Sequence, residues 1–322
     1  MMEKERGAES RTALCASVEP RFAPQWGKPH SASYLPLTTC HLPLTSKGFT
    51  LVEMIMVIVI TGIIGGIVAV FLKAPIQQYT DVARRADMTD IADTALRRIG
   101  RDLRLALPNS VRVAGTCNGT AACFIEFLPT KGGGRYRAGM GGDELDFSSS
   151  TDDTFEVLAT AGQGVDVISG DSIVVYNLGI AGADAYEGSS RRAAKAAFGS
   201  NLTEVFFDPA GIPFPFDSPG HRFHVISAPV AYACDGAGTL WRYWGYAIKP
   251  SQADTDSIAE LDALIAVQGA RARLANHVSG CRFSYDAFVV AQRSGLVTIN
   301  LGITEEGETV TLYSAAHVSN QP

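Results

Sequence analysis

The 322-residue sequence predicts an α+β protein: a long N-terminal helix, with a membrane half and an amphipathic half, packed on a β-rich, mainly antiparallel globular head. Three observations lead there. No charged residue occurs between Met54 and Leu72. Apolar residues then recur at spacings of three and four as far as Ala106. After Pro108 the chain changes to short alternating segments separated by Gly, Ser and Pro.

Counted from Phe49, the apolar run is long enough for a helix across the ~30 Å hydrocarbon core of a bilayer, which takes about 20 residues. Lys73 ends it, and the following "KAPIQQYTD" offers no small-residue cleavage site. The run is therefore expected to stay on the protein rather than leave as a signal peptide. Glu53 interrupts it near its start. An acid inside a membrane helix costs ~2.5–3.5 kcal/mol even on the milder scales, so Glu53 calls for a partner.

Beyond Ile76, Met88, Ile91, Ala95, Ile99, Leu103 and Ala106 make one face, and Asp87, Asp90, Asp93, Arg97, Arg98 and Arg101 fill the others. Asp93 and Arg97 form an i,i+4 pair in the favourable order, contributing a few tenths of a kcal/mol. Pro108, Asn109 and Ser110 predict the helix end just after Leu107. Gly62, Gly65 and Gly66 weaken the membrane half, and Pro75 predicts a bend or local break.

The head follows, with enough residues for its own core. Its best strand candidates are "ACFIEFLP", "DTFEVLAT", "DSIVVYNLG", "RFHVISAPVAYAC", "TLWRYWGYAI", "SGLVTINLGIT" and "ETVTLYSAAHVS". Val297, Ile299, Leu301 and Ile303 alternate with Thr298, Asn300, Gly302 and Thr304, the pattern of a half-buried antiparallel strand. "SIAELDALIAVQGARARLANHVSG" reads as partly helical. Trp241, Tyr243, Trp244 and Tyr246 place aromatics on both faces of one strand, core packing on one side and a partner contact as the minority reading of the other.

Net charge argues against nucleic acid as a partner. It is −6 for the whole chain, and removing the six basic and four acidic residues before Phe49 from 27 and 33 leaves 21 and 29, or −8. A nucleic-acid binder would present a clustered basic face. Lys47 before the apolar run agrees with the positive-inside rule and puts the head in the periplasm, although Arg84, Arg85, Arg97 and Arg98 enrich the other flank.

The stretch Lys47-Gly48-Phe49-Thr50-Leu51-Val52-Glu53 resembles the processing site of type IV prepilins and type II secretion pseudopilins. The resemblance implies a prepilin peptidase that cuts between Gly48 and Phe49 and methylates Phe49. It also implies a subunit whose Glu53, one helical turn away, neutralises the new α-amine of a neighbour. An acid at this place also complements the helix dipole, and a buried pair of this kind sets register more than it adds net stability. The expected architecture is then a pilin-like ladle, with a leader at 1–48, a membrane helix at 49–72, an amphipathic periplasmic helix at 73–108 and a head at 109–322. Expected partners are the prepilin peptidase/methyltransferase, other pilin-like subunits with the pilus assembly machinery, and inner-membrane lipid.

Residues 1–48 show no period of 3.6 or 2 and several prolines, unlike a folded domain. A translation start placed too far upstream, with Leu44 as the alternative start, is the preferred explanation, and a true extended leader is the other. Further along, "HRFHVISAPVAYACDGAGTLWRYWGYAI", "LANHVSGCRFSYD" and "LYSAAHVSNQP" are similar to the C-terminal half of the MshO-type minor pilin-like proteins of MSHA pilus biogenesis. "LRRIGRDLRLALPNSVRV" is similar to the same family and, more loosely, to J-type pseudopilins. The likeness covers the chain apart from residues 1–48.

After Phe49 four cysteines remain, an even number suited to an oxidising compartment. Of three connectivities, Cys117–Cys123 and Cys234–Cys281 are favoured, contributing about 2 and about 4 kcal/mol on chain-entropy grounds. A metal site from His277, Cys281, His221 and His224 is disfavoured without C-x-x-C spacing, and no cofactor is expected. Gly170-Asp171-Ser172 looks like a hydrolase nucleophile block but lacks a D-x-x-H near the C-terminus, so it reads as a strand-opening turn. Gly132-Gly133-Gly134 lacks the G-K-[ST] of a phosphate loop and reads as a flexible turn. Asp143, Glu144, Asp146, Asp152 and Asp153 lack EF-hand spacing and read as a solvated loop. The functional expectation is a structural subunit, not an enzyme. A minor pilin-like subunit comes first, a type II secretion pseudopilin second, and a tethered periplasmic binding or enzymatic domain last.

Overall fold

The computed structural model describes residues 48–119, 121–139, 141–160, 162–195, 198–286 and 294–322. The expected leader thus falls outside the described residues, save Gly48. The chain divides into two compact units between Ala74 and Pro75, and each is taken by itself.

In the first unit the backbone enters helix α1 (Leu51–Leu103). The large apolar residues from Phe49 to Leu72 are all exposed, so the helix is apolar on every side. Such a surface is stable only against lipid or other apolar helices. α1 is the one helix among the described residues long and apolar enough to cross a membrane. The helix is unbroken past Gly62, Gly65 and Gly66 and across Pro75, which, lacking an N–H, donates no hydrogen bond to the preceding turn.

In the second unit α1 becomes amphipathic. Met88, Ala92, Ala95, Leu96, Ile99 and Leu103 are buried on one face. The helix ends at Leu103, short of the expected Leu107, because the next backbone groups are taken by a strand-like partner. Leu107 N–H donates to Leu128 O at 2.7 Å, and Thr130 N–H donates to Leu105 O at 2.7 Å. Asp102, in the last turn, accepts from Tyr232 Oη (2.7 Å) and Arg242 Nε (2.9 Å), which fixes the helix end to the sheet beneath it.

The head holds sixteen strands among the described residues. In chain order they begin with β1 (Arg112–Gly115), β2 (Cys123–Phe127), β3 (Thr130–Arg135), β4 (Thr154–Glu156) and β5 (Val165–Val167). Next come β6 (Ser172–Val175), β7 (Arg191–Ala193), β8 (Gly199–Leu202), β9 (Glu204–Phe206) and β10 (Arg222–Ile226). Then follow β11 (Val230–Cys234), β12 (Leu240–Trp244), β13 (Ala270–Ala275), β14 (Val278–Asp286), β15 (Ser294–Glu305) and β16 (Glu308–Ser319). A second helix, α2 (Ile258–Val267), lies between β12 and β13. Its N-terminus carries a capping box, Ser257 accepting from Glu260 N–H and the Glu260 carboxylate accepting from Ser257 N–H.

Every strand pair is antiparallel. A five-stranded sheet runs β1-β2-β11-β12-β13 and a three-stranded sheet β14-β15-β16. One core joins them to the amphipathic half of α1: Ile125, Phe127, Tyr232 and Leu240 from the first, Phe283, Val297, Ile299, Leu301 and Ile303 from the second. The outer face of the five-stranded sheet is covered by α2 through Leu261, against Phe124, Ala231, Tyr243 and Tyr246. The strand with four neighbouring aromatics therefore uses both faces inside the head. Tyr243 lies with the α2 layer, and Trp244 packs on the α1 side, where the Arg242 guanidinium stacks on it at 4.9 Å.

A four-stranded sheet, β3-β10-β6-β7, supports a separate core around Phe155, Val175, Phe207 and Phe223. Here the glycine run at 132–134 is a strand, β3, and not a turn. The reason is close approach: a Cβ on Gly133 would stand 2.5 Å from Phe223 O on the neighbouring strand. His224 of β10 sits opposite Gly133 and Val174, with its Nε2 buried and unpartnered among the described residues.

Burial, with Arg222 nearby, holds the His224 imidazole below its ordinary value of about 6.5. The unfolded chain then takes up the proton first, so this contribution to stability is complete above about pH 6.5 and is lost as pH falls toward the folded-state value. Thermal unfolding between pH 7.5 and 5 should show this as a fall in stability of at most about 1.4 kcal/mol per pH unit. His224→Gln should flatten the profile. An equally steep decline in that variant would exclude His224 as the source.

Candidate functional site

The N-terminal edge of α1 is the chemically distinctive place in the first unit. Gly48, Phe49 and Thr50 precede the helix and are exposed, leaving the Gly48–Phe49 peptide bond in non-helical backbone. Thr50 caps the helix: its Oγ1 accepts from Glu53 N–H at 3.3 Å, and its carbonyl accepts from Met54 N–H at 3.1 Å. This cap was readable as the T-x-x-E of Thr50-Leu51-Val52-Glu53, a capping-box spacing that the sequence analysis passed over. The box is only half used. The Glu53 carboxylate makes no ion pair or hydrogen bond among the described residues, although it is the only charge between Phe49 and Leu72. It is therefore available to a cation from outside this chain's own helix.

The remaining candidate residues lie in the head. Cys117 is bonded to Cys123, with Cα atoms 4.6 Å apart, and Cys234 to Cys281, at 6.3 Å. The two bridges are neighbours, since Cys123 and Cys234 face each other across the β2–β11 ladder. With its sulfur bonded to Cys234, Cys281 is removed from any ligand set with His277, whose Nδ1 lies 3.7 Å from Glu305 instead. Among the described residues no three His, Cys, Asp or Glu side chains are placed to share a metal ion.

The other chemical motifs also have local occupations. Asp171 of the Gly-Asp-Ser block accepts from Lys131 Nζ at 2.8 Å and from Ile168 N–H at 2.9 Å, holding the turn that opens β6. Ser172 is buried there at the first position of the strand. In the acidic loop, Asp152 accepts from Asp146 N–H at 2.8 Å, Asp146 accepts from Ser148 N–H at 2.7 Å, and Asp153 pairs with Lys195 at 3.1 Å. These carboxylates order their own loop.

An N-terminal helix long and apolar enough to cross a membrane, followed by a disulfide-bonded antiparallel β head, is consistent with a single-pass membrane protein. Comparison with known families narrows this further: residues 44–69 match the prokaryotic N-terminal methylation motif. That motif supports a type IV pilin-like or pseudopilin subunit, a structural role, and it spans the Gly48–Phe49 bond, Thr50 and Glu53. No characterised protein and no solved structure gives a significant match to the chain.

Proposed function

We propose that this chain is a minor pilin-like subunit for type IV, MSHA-type, pilus biogenesis. It is cut after Gly48, N-methylated at Phe49, and assembled through its N-terminal helix. The observation that carries the reading is Glu53, without a partner among the described residues and the only charge from Phe49 to Leu72 in an exposed apolar stretch, inside the methylation motif. A lone membrane carboxylate is costly unless neutralised, and cleavage after Gly48 creates the matching cation. The α-amine of Phe49 in one subunit then meets Glu53 of the next. The head lies in the periplasm, where two disulfides are stable, and the subunit passes from the inner membrane into the filament. The MSHA assignment rests on the likeness of the C-terminal phrases. The likeness of "LRRIGRDLRLALPNSVRV" to J-type pseudopilins favours a pseudopilus in a type II secretion system as the second reading.

The test is the N-terminus of the protein made alongside an active prepilin peptidase, read by intact mass and N-terminal peptide mass spectrometry. The expected chain begins with N-methyl-Phe49. A chain that keeps residues before Gly48 in the presence of active peptidase refutes the assignment.

A further inference from the structure

The three-stranded sheet has two unlike edges. β14 is closed, because Cys281 N–H donates to Gly119 O at 2.8 Å and Phe283 N–H reaches Cys123 Sγ at 3.3 Å. β16 pairs with β15 without a register shift over all twelve of its residues. Its far side is open: among the described residues no outward backbone group between Thr309 and His317 has a partner. Antiparallel pairing turns both the N–H and the C=O of alternate residues toward such an edge. Natural sheets blunt exposed edges with Lys, Pro or a bulge. "ETVTLYSAAHVS" has none of these.

α1 runs beside this edge, tied by Arg85 to Glu308 at 3.0 Å and by a shared core with Val318 and Ala316. Between helix and strand lies a groove of about 550 Å³. Its floor is Leu96, Gly100, Leu312 and Ala316, and its rim is Arg97, Arg101 and Arg104. Leu312 packs against the core yet stays half-buried, with no further strand beside β16 among the described residues. Asp93 pairs with Arg97 at 2.6 Å, whereas Arg101 and Arg104 have no carboxylate within ion-pair distance among the described residues.

We propose that β16 is a docking edge for an extended segment of a different protein subunit, one that carries carboxylates on alternate residues. The incoming strand adds to β16 through main-chain hydrogen bonds and turns its acidic face into the groove. Carboxylates two residues apart are spaced by about 7 Å; Arg101 in the last turn of α1 and Arg104 in the turn just after it line the same groove, and their long, flexible guanidinium side chains can reach two such carboxylates. Charge also decides against a second copy of this chain. Two-fold pairing of β16 with itself would set one arginine rim against the other, and like charges oppose such pairing. The inference concerns the second unit alone, the amphipathic half of α1 and the head, and stands whether or not the chain is a filament subunit.

The test uses the full chain in uncharged maltoside micelles and a fluorescent twelve-residue peptide of Thr and Ser with glutamate at its fifth, seventh and ninth residues. The control peptide has lysine at those three places. The expected result is saturable binding of the glutamate peptide, at least tenfold weaker binding of the lysine peptide, and reversal of that preference in R101E/R104E. Hydrogen exchange should slow at alternate amides of β16 when the glutamate peptide binds. Absence of binding, equal binding of both peptides, an unchanged preference in R101E/R104E, or binding without β16 protection would each overturn the proposal. So would dimerisation of the chain through β16 that R101E/R104E leaves intact. N-terminal processing is not read in this experiment, so its outcome is separate from that of the mass measurement.

Discussion

Glu53→Ala should yield a protein that enters the membrane, is processed and folds its head, yet is lost from filaments. In the unassembled subunit the carboxylate is a burden of ~2.5–3.5 kcal/mol at membrane depth, so alanine leaves insertion unharmed or improved. In the proposed filament the loss would fall on the neighbour, whose N-methylated amine would be left desolvated and unpaired. Removing one partner of a buried pair costs about 3–5 kcal/mol, which at about 1.4 kcal/mol per decade weakens each association more than a hundredfold. The Glu53 carboxylate has no competing bond among the described residues, and Thr50 already serves the Glu53 N–H, so neither helix capping nor folding should suffer from the truncation. Glu53→Gln separates charge from hydrogen bonding. The readouts are the sheared filament fraction, the membrane fraction and the N-terminal mass. Filament entry at wild-type levels for both variants would sink the assembly role and favour a simple tether.

The apolar half of α1 and its single acid were legible because their signal is compositional: an unbroken apolar run with one carboxylate needs no distant partner to be recognised. The amphipathic half was legible by period, and Ala92 and Leu96 join the expected stripe because α1 faces two sheets and needs a wider apolar face than one seam. The long strands β15 and β16 showed themselves by alternation. Short ones did not. β7, β8 and β9 are three or four residues long, too short to show a period, with β7 and β8 rich in Arg, Gly and polar residues, and they are held by ladders to strands elsewhere in the sequence. The glycines of β3 failed as a strand signal for the same reason, since what selects them is the approach of Phe223, a partner 90 residues away. At the N-terminal site the methylation motif with its Gly48–Phe49 bond and Glu53 was visible in the sequence; the Thr50 cap was visible too, as a local spacing. The open edge of β16 was not, because an edge is defined by what fails to pair with it.

Removing the Cys234–Cys281 bridge should destabilise the head more than removing Cys117–Cys123. The first closes a 47-residue separation and the second only six, which on chain entropy corresponds to about 4 against about 2 kcal/mol. Topology adds to the difference. Cys234 ends β11 in the five-stranded sheet and Cys281 lies in β14 of the three-stranded sheet, so this bridge fastens together the two sheets that share the α1 core. Cys117–Cys123 instead closes the loop between β1 and β2, already paired in one ladder. The double variants Cys234→Ala/Cys281→Ala and Cys117→Ala/Cys123→Ala, compared by equilibrium denaturation, should therefore rank in that order. The quadruple variant should depart from the sum, because Cys123 and Cys234 face each other and Phe283 N–H bonds to the Cys123 sulfur. Equal losses for the two double variants would mean that the sheets are held by their apolar contacts alone. In that case the buried aliphatic layer of Val297, Ile299, Leu301 and Ile303 against α1, rather than the covalent link, sets the resistance of the head to unfolding.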